Sequence, residues 1–368
     1  MDIHFPVKAS RQLKNLLFAV FAWCLAMASF VFFRYSQLPE LPLWANGNGD
    51  LVTLALFLGT VFGGLHWLSN LLADISNISR LPYLFSVVFK GAFLFIGALT
   101  LAFMTQFLDL WAVDHHMVTL RKMLNSEIIK NTSFQAVVVY LVIVRVGLAF
   151  IEQVALLVGP RVLVNIGLGK YHRPRYEERL FLFVDMVSST AHAETLGDVK
   201  FSRLIQDSFS LLAETVNNND AEIYRYMGDA VLIHWPLQEG LKRERCLNIY
   251  FEFCEQLNIQ RDYFEKKYGF VPKFKAAVHG GQVVAAVVGV HKQEISYFSD
   301  VVNTLARLQD QCNPLGQRIL LSGDVASKLK NKQQKYQLTP LGPIQLKGKQ
   351  YPIDVFAAAL AANINSQN

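Results

Sequence analysis

Four apolar stretches, each nearly free of charge and about a bilayer long, fill the first 158 residues of this 368-residue chain. They run near Leu16–Phe33, Leu51–Leu71, Tyr83–Phe107 and Phe134–Val158. A hydrocarbon core takes roughly 20 residues of helix to cross, and inside it a segment must satisfy its own backbone polar groups. The pattern therefore predicts an N-terminal four-helix transmembrane bundle. Apolar residues make up 52% of the chain and charged ones 17%, and the apolar excess lies before Gly159. Lys8, Arg11 and Lys14 precede the first stretch, but no small-residue cleavage site follows it. Phe32-Phe33-Arg34-Tyr35 reads as an interfacial helix end rather than the end of a signal peptide.

The formal net charge is +6. Lys and Arg gather at the N-terminus and after the last apolar stretch, at Arg161, Lys170, Arg173, Arg175 and Arg179. The positive-inside rule places both on the cytoplasmic face of the inner (plasma) membrane, in a multi-pass arrangement. Arg121, Lys122 and Lys130 pull the other way. Their loop, Asp109–Ser133, has apolar residues at helical spacing (Met117, Leu120, Met123, Leu124, Ile128) that suit a membrane surface. No basic stripe carries interleaved aromatics, so the expected partner is the lipid membrane and not nucleic acid. Cys24, Cys246, Cys254 and Cys312 show neither metal-ligand nor redox-pair spacing. Lys90, Arg145 and Glu152 fall inside crossings, where charge is costly. Either Lys90 pairs with Glu152 and the contact carries a signal, or Lys90 snorkels and Glu152 sits near the interface. The spacing of His66, His115 and His116 supports neither haem nor metal.

The domain reading is a transmembrane domain over residues 1–158, a basic linker over 159–177, a soluble domain over 178–360 and a tail over 361–368. Gly159-Pro160 ends the last crossing. Arg179–Asp185 reads as a buried strand, and Met186–Thr190 opens a helical stretch through about Val216. Ala221–Trp235 reads as a hairpin turning at Gly228-Asp229, Leu241–Tyr268 as one long helix, and Phe274–Val278 and Val283–Val287 as two strands. Asp300–Gln311 reads as a helix and Tyr351–Phe356 as a late strand. The alternation predicts an α+β domain with a mostly antiparallel sheet.

Asp185 closes a strand and Asp229 sits in a hairpin turn, so the two can share one sheet edge. Two carboxylates there suit Mg²⁺, a hard cation that takes oxygen ligands, although Gly-Asp is also an ordinary turn dipeptide. The small residues Val187, Ser188, Ser189 and Thr190 lie where a strand enters a helix, and free backbone N–H groups at such a place bind phosphate. Asn303 and Arg307, four apart, share one helix face. An asparagine there can hold a ribose oxygen and an arginine can neutralise a phosphoryl group in transfer. A solvated polar face explains the same pair without chemistry.

Together these segments resemble the class III adenylyl and guanylyl cyclases. Phe183-Val-Asp-Met-Val-Ser-Ser-Thr190 is similar to the family's first metal motif and Tyr226-Met-Gly-Asp229-Ala-Val to its second. Ser299-Asp-Val-Val-Asn-Thr-Leu-Ala-Arg307 is similar to the transition-state motif. Leu346-Lys-Gly-Lys-Gln-Tyr-Pro352 resembles the late segment whose lysine, here Lys347, reaches the triphosphate. The resemblance covers about Glu178–Ala358. It implies a ferredoxin-like catalytic domain and a head-to-tail homodimer whose sites are built across two chains. Asp185 and Asp229 of one chain hold two ions, Mg²⁺ or Mn²⁺. Asn303, Arg307 and Lys347 come from the other.

The implied reaction is attack of the ribose 3′-hydroxyl of ATP on the α-phosphate, giving cyclic AMP and pyrophosphate for intracellular signalling. At the base-reading positions many adenylyl cyclases have lysine and Asp or Thr; here stand Arg225 and Ser296. The glutamate usual in guanylyl cyclases is absent from the first position, which favours ATP; guanylate cyclase activity is the alternative. Ser299 replaces a family glycine. Two rival readings are a catalytically weak membrane receptor with a nucleotide-binding domain, and a transporter with a regulatory tail.

Overall fold

The computed structural model describes residues 5–36, 48–76, 83–114, 132–290, 293–330 and 335–361. The chain divides into two compact units, Met1–Leu157 and Val158–Asn368. His115, His116, Arg121, Lys122, Lys130 and most of the stretch read as membrane-surface helix lie outside the described residues.

The first unit holds α1 (Phe5–Ser36), α2 (Asn48–Ile75), α3 (Tyr83–Asp114) and α4 (Thr132–Val158). Among the described residues, Gln12–Phe33, Val52–Ile75 and Ala136–Val158 are long and apolar enough to cross a membrane, and α3 adds a shorter apolar stretch, Phe85–Thr100. The helices share one core: Trp23 and Met27, Ala55 and Phe62, Leu94 and Ala98, with Tyr140 and Leu141 against them. Phe18, Phe21, Phe57 and Phe150 point outward and are exposed. A Cβ at Gly59 would come within 2.4 Å of the Cys24 backbone, and one at Gly63 within 2.5 Å of Val20. This small-xxx-small pair lets α1 and α2 approach closely.

Of the two readings of the charges inside this unit, the one that pairs Lys90 with Glu152 finds no ion pair among the described residues. Glu152 takes other partners. Its carboxylate accepts from His66 Nε2 at 2.8 Å and Asn70 Nδ2 at 3.0 Å, and Arg145 Nη1 lies 3.5 Å away. His66 and Arg145 are buried. The i,i+7 spacing of Arg145 and Glu152 places both on the face of α4 that meets α2.

The second unit opens with α5 (Pro160–Gly167) and β1 (Arg175–Met186). The strand thus begins within the stretch read as linker, because β4 extends far enough to pair Arg175 with Ala285. Next come α6 (Ser189–Leu196), α7 (Asp198–Asn218), β2 (Glu222–Met227) and β3 (Ala230–Pro236). They are followed by α8 (Leu237–Leu241), a 3₁₀ turn, α9 (Arg245–Ile259), α10 (Arg261–Tyr268) and β4 (Phe274–Val288). The domain closes with β5 (Glu294–Phe298), α11 (Asp300–Asp310), β6 (Ile319–Ser322), α12 (Gly323–Lys330), β7 (Tyr336–Ile344) and β8 (Ile353–Leu360).

These strands form one sheet in the order β2-β3-β1-β4-β6-β8-β7, with β5 paired to β4. All the described pairings are antiparallel except β4 with β6. Alternate residues of β1 serve two cores. Leu180, Leu182, Val184 and Met186 face the helices α7 and α9, whereas Phe181 and Phe183 face α11.

Two expectations change here. The helix over Leu241–Tyr268 is broken, since Arg243 and Glu244 take left-handed φ of 53° and 57°. The two strands around Gly280-Gly281 are one 15-residue strand. The glycines do not end it: a Cβ at Gly280 would sit 2.9 Å from the Arg179 carbonyl oxygen and one at Gly281 3.0 Å from Val301 Cγ2, so they admit β1 and α11 at close range.

Candidate active site

Antiparallel pairing of β1 with β3 sets Asp185 opposite Ala230. The next step along places Asp229, in the turn, beside the end of β1, where its carbonyl accepts from the Met186 amide at 3.3 Å. Gly228 takes the left-handed φ of 65° that this tight turn requires. The two acids are thus neighbours at one sheet edge. Burial, and then the Asp229 charge, push the Asp185 carboxyl above its ordinary range. Lys275 stands opposite Asp185 on β4, with its Nζ 3.4 Å from Asp185 Oδ2. The same oxygen accepts from Gln309 Nε2 at 2.7 Å. The sequence reading missed both Lys275 and Gln309.

An all-oxygen pair of like charges, one of them resisting ionisation, is a donor set that a hard divalent cation neutralises. Among the described residues no group of three or more His, Cys, Asp or Glu side chains forms a complete metal cage. Phosphate oxygens and water would have to supply the remaining ligands, as is usual for Mg²⁺.

Beside the acids, Ser188 has left-handed φ and ψ and serves as N-cap of α6 without a side-chain cap bond. Its carbonyl accepts the first helical bond, from His192. The N–H groups of the first turn, at Ser189 and Thr190, face outward from a helix start, as an anion site needs. Val187 does not share that role, since its N–H donates to the Lys273 carbonyl at 2.8 Å.

A second group gathers on α11. Asn303 is exposed and Arg307 is half-buried on the same face. A Cβ at Gly348 would lie 3.2 Å from Arg307 Nη2, so the turn that carries exposed Lys347 rests on the guanidinium. Lys349 ties that turn to Asp300 at the helix start. Ser299, where the family has glycine, caps α11: its Oγ accepts from Val301 N–H at 3.1 Å and donates to the Gln282 carbonyl at 3.0 Å. Its backbone is extended, so the serine fits without strain.

Ser296 lies on β5, two residues from Glu294 and on the same strand face. Arg225 on β2 donates to Glu294 Oε1 at 2.5 Å. Glu294, an acceptor that the sequence reading did not single out, thus ties Arg225 to the strand that carries Ser296. Among the described residues no hydrogen bond or ion pair joins Asp185 or Asp229 to Asn303, Arg307 or Lys347.

An α+β domain that offers paired strand-edge acids on one side and an Asn–Arg helix with a lysine turn on the other has the layout of a nucleotidyl cyclase. The profile of the adenylate and guanylate cyclase catalytic domain matches residues 171–358, and the chain belongs to that class III cyclase family. It is 37% identical over 194 residues to adenylate cyclase 2 of Rhizobium meliloti (strain 1021), covering 53% of this chain and 53% of that protein. It is 25% identical over 210 residues to adenylate cyclase 1 of the same organism, covering 54% of this chain and 30% of that protein. The chain thus spans about half the length of the first relative and less of the second. A bacterial light-regulated adenylyl cyclase structure shares the fold at a TM-score of 0.50 and 18% identity, over 62% of this chain and 65% of that one.

Proposed function

We propose that this protein is a membrane-anchored adenylate cyclase, active as a homodimer, that converts ATP to 3′,5′-cyclic AMP and pyrophosphate. Residues 1–158 form the membrane domain, 159–177 connect it, and 178–360 are the catalytic domain on the cytoplasmic side. The observation that carries the reading is the division of α11. Its buried face reaches Asp185 of the same chain through Gln309, while Asn303 and Arg307 lie outside that buried stripe. A second copy, turned head to tail, can bring its own Asn303, Arg307 and Lys347 to these acids.

In such a site Asp185 and Asp229 hold two divalent ions, Mg²⁺ or Mn²⁺, together with the nucleotide's phosphates. When bound, the ions supply Lewis-acid activation of the 3′-hydroxyl and the α-phosphate. The protein's own groups do the rest. The first-turn N–H groups at Ser189 and Thr190, Lys275 and the partner copy's lysine turn receive the triphosphate oxygens. Asn303 orients the ribose. Arg307 lies against the developing charge as the pyrophosphate oxygen departs, the moment at which a fixed cation is worth most.

Arg225, held by Glu294, donates to adenine N1, and Ser296 accepts from the exocyclic amine. The 37% identity to a protein named adenylate cyclase supports ATP over GTP. The test is turnover of ATP and of GTP by the full chain in membranes with Mg²⁺ or Mn²⁺. Cyclic AMP is the expected product, and Asp185→Ala abolishes it; turnover of GTP with ATP inert overturns the base assignment.

A further inference from the structure

The buried stripe of α11 runs Val301, Thr304, Leu305, Leu308, Gln309. Four of these positions suit a helix laid on a sheet, and the fifth is a primary amide. Gln309 is only 3% exposed, and its Nε2 is spent on Asp185 Oδ2 at 2.7 Å. Lys275 approaches that same oxygen. Both printed contacts thus fall on one carboxylate oxygen of Asp185, Oδ2. Around the helix, Arg307 lies about 160° from Gln309 at 100° per residue. It is packed from the other side by the Gly348 turn. Both contacts are made two residues apart on one continuous eleven-residue helix.

We propose that Gln309 is a positioning residue with two effects. It fixes the rotamer of Asp185, so that the acid meets its metal ion pre-oriented. It also makes α11 the link between the two sites of the dimer, because the helix that steadies the metal acid of one site presents Asn303 and Arg307 to the other. Loading of metal at one site then changes affinity at its twin. This rests on the function proposed above.

The experiment uses the full chain in detergent micelles with 3′-deoxy-ATP, which lacks the attacking hydroxyl. Mn²⁺ is titrated in and its free concentration is read from its electron paramagnetic resonance signal. The proteins compared are wild type, Gln309→Leu and Gln309→Met; the flexible Met variant keeps the test open should Leu pack poorly. We expect both variants to bind Mn²⁺ about ten-fold more weakly, the loss that follows removal of one hydrogen bond to a charged group. The link is read by titrating 3′-deoxy-ATP, one per site, at saturating Mn²⁺: the wild-type Hill coefficient departs from 1, and that of the variants returns to 1. Unchanged affinity in a folded variant overturns the positioning role, and a wild-type Hill coefficient of 1 overturns the link. Wild type that binds no Mn²⁺ overturns the metal site and the proposed function, and this inference with them.

Discussion

His279 lies on β4 away from the acids, with Nδ1 2.7 Å from Ser322 Oγ, and burial pushes it down to about 4. In the unfolded chain a histidine takes its proton near 6.5. Between those values the unfolded state binds the extra proton, so stability is lost as pH falls through this window. About 2 kcal/mol is lost by pH 5 from this group alone. The apparent melting temperature should drop more between pH 7 and pH 5 in wild type than in His279→Gln; equal drops contradict the assignment. Arg307→Ala is expected to lower kcat by about 10²-fold with a smaller change in KM, as for a group that acts on charge formed in the transition state. Steady-state kinetics with ATP check it.

At the level of elements, the lysine turn and α11 behave as one piece. Gly348 has φ of 71°, and any Cβ there meets Arg307. Gly348→Ala should therefore displace the guanidinium and cost roughly ten-fold in kcat, with a stability loss of about 1 kcal/mol from the left-handed backbone. A kcat unchanged in a folded Gly348→Ala protein contradicts the contact. In the N-terminal unit, Gly59→Leu drives a side chain into the Cys24 backbone. Its expected result is a clear fall in thermal stability in detergent, whereas Gly64→Leu, where a Cβ meets nothing within 4 Å, is tolerated.

Elements were legible in the sequence where their signals are local. The strand ending at Asp185, the Gly228-Asp229 turn and the i,i+4 pair of Asn303 and Arg307 are short-range patterns, and the structure builds each of them. Gln309 and Lys275 were not legible, because they meet Asp185 only through the packing of α11 and the β1–β4 register. The strand β6 is four residues long and joins β4 in parallel from far along the chain, so no local pattern announces it. Gly280-Gly281 looked like a break and proved to be a place of close strand approach.

For the whole molecule, the central claim is that each working site takes acids from one copy and the Asn–Arg helix from another. The direct measurement is complementation. Full chains carrying Asp185→Ala and Arg307→Ala are expressed separately and then together in one membrane, and cyclic AMP production from ATP is measured. Each variant alone is predicted to be nearly inactive. Random pairing makes half of the dimers mixed, each with one intact site, so the mixture should recover roughly a quarter of wild-type activity. A mixture no more active than its parents, at equal expression of both chains, would contradict the account.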